Sequence, residues 1–176
     1  MTVGSIFKSP GVGGGYFEDV GVGFYEKKHN DLLTDGKHPI FHRALLNLFM
    51  WSHDSKLEDA DYFATNAFNH FLGISNNIYI ASDSANNNSV VAYILADGTY
   101  IHQMAVHPKY QKAGIACALL NLLHTKNPKA DSIVFLADQV HPYINGYLAQ
   151  LGFMFCEADY NGRKHNKSMV RWILKE

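Results

Sequence analysis

The stretch of residues 99–137 constrains the fold most, because two strand patterns in it enclose one helix pattern. The first pattern, "TYIHQMAV", leads through a turn into a segment in which four apolar residues recur at helical spacing: Ile115, Leu119, Leu122 and Leu123. Lys126 and Pro128 mark the end of this helix. The second strand pattern, "SIVFLA", is apolar at almost every position, which is typical of a strand buried on both faces. This order predicts a βαβ unit, in which the two strands are parallel.

The remaining patterns add antiparallel strands and flanking helices. Helices are predicted from Pro39 to about Trp51 and from about Leu57 to Leu72. The inward positions are expected to be Ile40, Leu45, Leu48 and Phe49 in the first helix and Leu57, Phe63, Ala67 and Phe71 in the second. "NIYIAS" and "SVVAYILA" form a hairpin across "DSANNN", and Asp97 and Gly98 make the next turn. A helix over "HPYINGYLAQL" and strands over "GFMFCEADY" and "KSMVRWIL" follow. The predicted fold class is α/β of the α+β type, with a mixed, mostly antiparallel sheet, a central parallel βαβ unit and flanking helices.

The sequence divides into a glycine-rich segment over residues 1–37 and one domain over residues 38–176. "GVGGGYFEDVGVGF" does not make a dinucleotide loop, because Tyr16 stands where the third glycine of GxGxxG belongs. Two alternatives remain for this segment, a flexible arm or an irregular edge strand with glycine bulges.

Composition excludes several classes of function. With 15 Lys and Arg against 16 Asp and Glu, the formal charge is -1, which argues against a dedicated nucleic-acid binder. Cys117 and Cys156 lack CxxC spacing, and the ten histidines include no HExxH, so we expect no metal site and two reduced thiols. Because neither a signal peptide nor an apolar stretch of membrane-spanning length stands out, we expect a cytoplasmic protein without a membrane partner.

The turn between the strand and the helix, within "VHPKYQKAGIACALL", carries a Q-x-x-G-x-A motif. The first N–H groups of a helix have no partner inside the helix and lie at its positive end, so a phosphate placed there meets several donors. Gly114 and Ala116 leave room for the backbone to approach a bulky anion, and Lys109 and Lys112 add positive charge. The motif therefore predicts a phosphate loop (residues 111–116). The alternative is a helix start that uses its glycine only for packing.

This motif resembles the Q/R-x-x-G-x-G/A signature of the GNAT superfamily of N-acetyltransferases. The match extends over "MAVHPKYQKAGIACALL", which is similar to the family's strand end, turn and phosphate loop, and over "YLAQLGF", which is similar to a later region. With the order of elements, the resemblance covers roughly residues 38–174. It implies acetyl-CoA as cosubstrate and acetyl transfer to an amine.

The resemblance also implies which residues bind acetyl-CoA. The phosphate loop would bind the pyrophosphate through backbone N–H groups: Gln111, Lys112, Ala113, Gly114, Ile115 and Ala116. The strand end would pair with the pantetheine arm: Met104, Ala105 and Val106. In this family the two parallel strands splay apart here, and the N–H group of Met104 or Val106 would stabilise the oxyanion that forms during amine attack.

His102 is the candidate general base that takes a proton from the amine. It lies two residues before Met104, so the strand period is expected to place both side chains on one face. "YIHQMAVHP" resembles the matching strand of the arylalkylamine N-acetyltransferases, whose histidines deprotonate the amine, although Tyr100 replaces one of that pair. The alternative is a histidine packed within the sheet. His107, beside the turn, is expected to cap it or face solvent.

The candidate general acid is Tyr147. Many family members carry a tyrosine four residues before the glycine of "GF", where this sequence has Leu148. Because a shift of one residue rotates a helical side chain by about 100°, packing in the core is the alternative role for Tyr147.

The acceptor amine is expected on the side of the first two helices. An acidic cluster there would suit a cationic amine, or would start a helix through its capping box and dipole: Asp54, Glu58, Asp59 and Asp61. Three aromatic residues would wall the acceptor pocket or fill the helix core: Phe41, Phe49 and Trp51.

We therefore predict an N-acetyltransferase that moves an acetyl group from acetyl-CoA to a primary amine by direct attack in a ternary complex. The acceptor would be a small molecule or a peptide, no nucleic acid is expected, and a homodimer is possible. The alternative is a non-catalytic acyl-CoA-binding module for sensing or protein contact. A nucleotide-phosphate binder of another fold has only the phosphate loop in its favour.

Overall fold

The computed structural model describes residues 22–28, 38–52, 60–111, 114–136, 142–159 and 169–175 of the 176-residue chain. Within these ranges the helices are α1 (His38–Ser52), α2 (Ala60–Gly73), α3 (Ile115–Lys126) and α4 (Pro142–Gln150). The strands are β1 (Val22–Lys28), β2 (Asn77–Asp83), β3 (Ser89–Asp97), β4 (Tyr100–Val106), β5 (Ser132–Leu136), β6 (Phe153–Asp159) and β7 (Met169–Leu174). Each helix and strand predicted from residue 38 onward is present, with ends shifted by a few residues.

The strands form one sheet of order β1-β2-β3-β4-β5-β7-β6. The pair β4–β5 is parallel, and the other neighbouring pairs are antiparallel. The predicted fold class and its central βαβ unit are therefore confirmed. Residues 22–28 form an edge strand on β2, as one of the two alternatives predicts, but the register of this pairing is unbroken and shows none of the predicted glycine bulges. Residues 1–21 lie outside the described residues.

Both faces of the sheet are covered, because the strands alternate apolar side chains between two helix layers. On β2, Ile78 and Ile80 pack toward α1 and α2, whereas Tyr79 and Ala81 pack toward α3 and α4. The four apolar positions predicted for α3 are all buried, and so are the predicted α1 residues Leu45, Leu48 and Phe49. The side chain of Ile40, the remaining position predicted for α1, lies outside the described residues. Helical spacing alone was sufficient to identify these inward faces.

The inward face of α2 differs from the prediction by one residue. Ala67 is exposed, whereas Phe68 and Leu72 are buried. Phe68 contacts the ring of Tyr93 on β3 (centroids 6.2 Å apart) and that of Phe49 on α1 (5.6 Å), so aromatic packing against two elements sets the rotation of α2. Of the other predicted positions, Phe71 is half-buried, and the side chains of Leu57 and Phe63 lie outside the described residues. None of the described helices combines the length and apolar composition that a membrane crossing requires.

Candidate functional site

The sheet opens between its two parallel strands. Within the described residues, β4 and β5 pair at Tyr100 with Val134 and at Ile101 with Phe135. β5 continues to Leu136 in contact with β7, and β4 continues to Val106 in contact with β3. The described pairing of β4 with β5 therefore ends at Ile101, and we call the following segment of β4, from His102 to Val106, the open edge.

Alternation of the backbone determines which groups of β4 point into this opening. His107 donates its N–H to the carbonyl of Val91 on β3 (2.8 Å), and the antiparallel pairing continues through Ala105. Because successive residues of a strand direct their N–H and C=O groups to opposite sides, Met104 and Val106 direct theirs toward the opening. Ala105 faces β3 instead, and its side chain is buried in the layer of α1 and α2. Of the three predicted strand-end residues, two thus present backbone donors to the opening.

The turn after β4 is held to the strand by side chains of its own sequence. Gln111 donates from Nε2 to the carbonyl of Val106 (3.2 Å), so this side-chain amide supplies a hydrogen bond to the last carbonyl of the open edge. His107 caps the short turn Pro108–Tyr110, accepting at Nδ1 from the N–H of Lys109 (3.1 Å), as the sequence predicts. Burial, and then the positive charge of Lys109, lower the pKa of His107, which favours the neutral ring that this acceptor role needs.

The phosphate loop enters α3 through position 114, which has a backbone conformation that glycine adopts more easily than other residues. Gly114 is the N-cap with φ 80° and ψ 8°, and it has no side chain with which to accept from the first amides of the helix. The first helical bond runs from Ala118 N–H to the carbonyl of Gly114 (3.0 Å). The N–H groups of Ile115, Ala116 and Cys117 therefore lie at the positive helix end without an intrahelical acceptor.

These features fit an extended ligand that carries phosphates. An arm with amide groups can pair with the open edge in the way that a strand would, and an anion can bind at the start of α3. The other two predicted loop residues, Lys112 and Ala113, lie outside the described residues. The described part of the chain holds no group of three or more residues suited to a metal ion.

A bulge in β4 changes the expected geometry of His102. Leu95 on β3 pairs with Gln103 and the next residue, Ala96, pairs with Ile101, so His102 is an additional residue on β4. An extra residue of this kind shifts the alternation of side chains beyond it by one position.

Because of the bulge, His102 and Met104 lie on different faces of the sheet. Met104 packs on the layer of α3 and α4, whereas Tyr100 packs with Phe71 of α2 on Val134 of β5. The ring of His102 lies on the Tyr100 side, with the two ring centroids 4.8 Å apart. The prediction that His102 and Met104 share one face is therefore wrong. His102 lies instead on the face covered by the first two helices.

Tyr147 is half-buried on α4 and packs against the core of the α3 layer, beside Cys117. Leu148, at the family's tyrosine position, is fully buried. Burial, and then the negative form of Cys117, raise the pKa of Tyr147 above its usual range. The phenol thus keeps its proton far into the alkaline range but is a weaker acid than an ordinary tyrosine. Burial also raises the pKa of the Cys117 thiol to about 11, so this cysteine is a poor nucleophile.

Of the residues predicted for the acceptor side, the structure describes the side chain of Phe49. Phe49 is 2% exposed and packs with Phe68, which favours the alternative of a core residue. The side chains of Phe41, Trp51 and the acidic cluster lie outside the described residues.

The sequence reasoning missed a buried contact of the turn. Tyr110, which directly precedes the phosphate loop, is 5% exposed and donates its hydroxyl to Asp83 Oδ2 on β2 (2.6 Å). A large aromatic residue inside a charged turn was the available signal, but its partner is 27 residues away in sequence.

Comparisons with known proteins agree with this geometry. A model of the acetyltransferase (GNAT) domain matches residues 56–168, which is more than half of the chain. No curated protein sequence matches this chain.

Several solved structures share the fold at low sequence identity. The ribosomal-protein-S18-alanine N-acetyltransferase from Escherichia coli has a TM-score of 0.56 and 15% identity, covering 87% of this chain and 92% of that chain. The aminoglycoside 6'-N-acetyltransferase from Enterococcus faecium has a TM-score of 0.55 and 14% identity, with coverages of 86% and 95%. The NatC complex bound to Gag peptide and CoA gives a TM-score of 0.50 and 15% identity, with coverages of 87% and 98%. The family match, together with this shared fold, shows that the chain belongs to the GNAT acetyltransferase family.

Proposed function

We propose that this protein transfers an acetyl group from acetyl-CoA to a primary amine by direct attack in a ternary complex. The observation that carries the proposal is the opening between β4 and β5, which has backbone donors along the open edge and the start of α3 beyond its end. An opening of this kind accepts an extended arm and a phosphate group at once, which a closed sheet would not.

The chain offers two groups of backbone donors for acetyl-CoA, which supplies an acyl group activated as a thioester. The first turn of α3, at Gly114, Ile115 and Ala116, would bind the pyrophosphate, and Gln111 would hold the loop in place through its bond to β4. Met104 and Val106 would donate to the arm, and one of their N–H groups would stabilise the negative charge that develops on the thioester oxygen. Lys112 and Ala113 complete the proposed loop.

His102 is the proposed base. Its ring lies on the face of the sheet covered by α1 and α2. An amine that approaches from these helices would lie between this ring and the opening. A histidine accepts a proton near neutral pH, and it can do so directly or through one water. Tyr147 is the proposed proton donor to the departing thiolate, on the opposite face.

The acceptor is proposed to be a primary amine on a peptide or a small molecule. The names of two proteins with the same fold refer to such groups, an alanine of a ribosomal protein and an aminoglycoside. We also propose a cytoplasmic setting, which is supported by the free thiols of Cys117 and Cys156.

Two measurements test the function. Calorimetry should show binding of acetyl-CoA, and a thiol assay should show release of free CoA that depends on an amine, across a panel of polyamines, aminoglycosides and peptides with free N-termini. The Gly114→Glu variant should lose both signals, because it places bulk and negative charge at the start of α3. A folded wild-type protein that does not bind acetyl-CoA would refute the proposal.

A second candidate function is an acyl-CoA-binding module without catalysis. The burial of Leu148 at the position of the family's tyrosine favours it, because a proton donor is missing from its usual place. If the protein is such a module, it should bind acetyl-CoA, but no amine in the panel should cause release of free CoA. Substituting His102 should change neither result.

A further inference from the structure

One buried hydrogen bond connects the turn before the phosphate loop to a strand that is not its neighbour. Tyr110 ends the short turn after β4, and its hydroxyl donates to Asp83 Oδ2 at the end of β2 (2.6 Å). Both residues are buried, at 5% and 4% exposure. Since β3 lies between β2 and β4, the bond connects the turn after β4 to a strand that is two positions away in the sheet. We propose that Asp83 and Tyr110 are positioning residues that hold the phosphate loop in the geometry needed to bind acetyl-CoA, an inference that rests on the proposed function.

Asp83 is a rigid anchor for this bond. Its backbone is the last residue of β2, paired with Val22 on β1 and with Ser89 on β3. Its second oxygen, Oδ1, accepts from the N–H of Ala85 (2.9 Å), which fixes the side-chain rotamer. The Ala85 amide and the Tyr110 hydroxyl therefore hold the two oxygens of this side chain in one orientation.

Tyr110 passes this constraint to the loop because the next residue in sequence is Gln111, which is bonded to Val106 at the end of β4. The turn is thus hydrogen-bonded to β3 through His107 and to β4 through Gln111, but both of these bonds lie close to the end of β4. The bond from Tyr110 supplies a third point, farther across the sheet, and three points define an orientation. Anion binding by amides depends on donor distance and angle, so small rotations of the loop weaken it.

If the role of this bond were purely structural, it would stabilise the β2–β3 hairpin, and its loss would have no specific effect on acetyl-CoA binding. The two roles differ in what Tyr110→Phe changes, because this substitution keeps the buried ring and removes only the hydroxyl. Tyr79→Phe is the matched control. Its hydroxyl is also in the core and accepts from Asn127 Nδ2 (3.3 Å), beyond the opposite end of α3.

The experiment compares the two variants with the wild type by steady-state kinetics and by amide hydrogen exchange in the absence of ligand. Tyr110→Phe should raise the KM and the Kd for acetyl-CoA about tenfold with kcat within twofold, and should speed exchange at Ala118, whose N–H forms the first hydrogen bond of α3. Tyr79→Phe should leave these quantities unchanged even if both variants lose similar thermal stability. Asp83→Asn, which keeps an acceptor oxygen, should have a smaller effect than Asp83→Ala.

Failure of the inference and failure of the proposed function give different results. If the wild type binds acetyl-CoA and Tyr110→Phe binds it equally well, the positioning role is refuted. An unchanged exchange rate at the start of α3 refutes it too, with or without acetyl-CoA binding. If the wild type does not bind acetyl-CoA, the proposed function fails, and the role in acetyl-CoA binding falls with it.

Discussion

A pair of substitutions at Gly114 tests the phosphate loop most directly. Gly114 has φ 80°, in the left-handed region where an ordinary residue costs about 1–2 kcal/mol. Asn and Asp tolerate this region better than other residues, and they have almost the same shape. Gly114→Asn and Gly114→Asp therefore share the strain and the added bulk, and they differ by one negative charge.

The size of the expected difference follows from the position of residue 114 at the start of α3. An anion bonded to the first amides of the helix would lie about 6 Å from a carboxylate at this position, where two unit charges repel by about 3 kcal/mol at an effective dielectric constant of about 20. Physiological salt roughly halves this value. About 1.4 kcal/mol per phosphate charge remains, and each such step is a tenfold loss of affinity. We expect Gly114→Asp to bind acetyl-CoA tenfold to a hundredfold more weakly than Gly114→Asn.

Calorimetry at 0.15 M and at 0.5 M salt measures this difference, and circular dichroism confirms that both variants are folded. The gap between the variants should narrow at the higher salt concentration, because screening weakens repulsion between charges that are open to solvent. Equal affinities for the two folded variants would refute anion binding at the start of α3.

Three further predictions concern the proposed chemistry. His102→Gln should lower kcat by about a hundredfold without changing the Kd for acetyl-CoA and should move the acidic limb of the pH–rate profile; an unchanged rate and limb would assign His102 to sheet packing. Tyr147→Phe should lower kcat by about a hundredfold from pH 6 to pH 10, since the raised pKa keeps the phenol protonated over that range, whereas wild-type turnover would leave Tyr147 a packing role. In a Cys156→Ser background, iodoacetamide should alkylate Cys117 about 200-fold more slowly at pH 8 than an ordinary thiol, because a pKa of about 11 leaves roughly one thiolate in a thousand; alkylation at the ordinary rate would show that the thiol is not buried.

The order of elements and the parallel βαβ unit could be predicted because their signals are local. Ile115, Leu119, Leu122 and Leu123 recur with the helical period, and all four are buried. The motif around Gly114 also acts locally, since a left-handed glycine before a helix and the uncapped amides after it involve adjacent residues. The capping role of His107 depends on a residue two positions away. Hydrophobic period, turn chemistry and helix starts are short-range properties, and a single sequence carries them.

Register, rotation and long-range contacts were decided by the tertiary structure. Period 2 placed His102 with Met104, but hydrogen bonding to β3 accommodates an additional residue and separates them. Helical spacing predicted Ala67 as an inward position of α2, but packing against the rings of Phe49 and Tyr93 buries Phe68 instead.

The bond between Tyr110 and Asp83 joins residues 27 positions apart and gives no local signal. The opening between β4 and β5 depends on where a pair of strands stops exchanging hydrogen bonds. The sequence by itself determined which segments are strands and helices, because those choices depend on neighbouring residues. The packed sheet decided which side chains meet across it, because hydrogen-bond register and side-chain packing are set by partners distant in sequence.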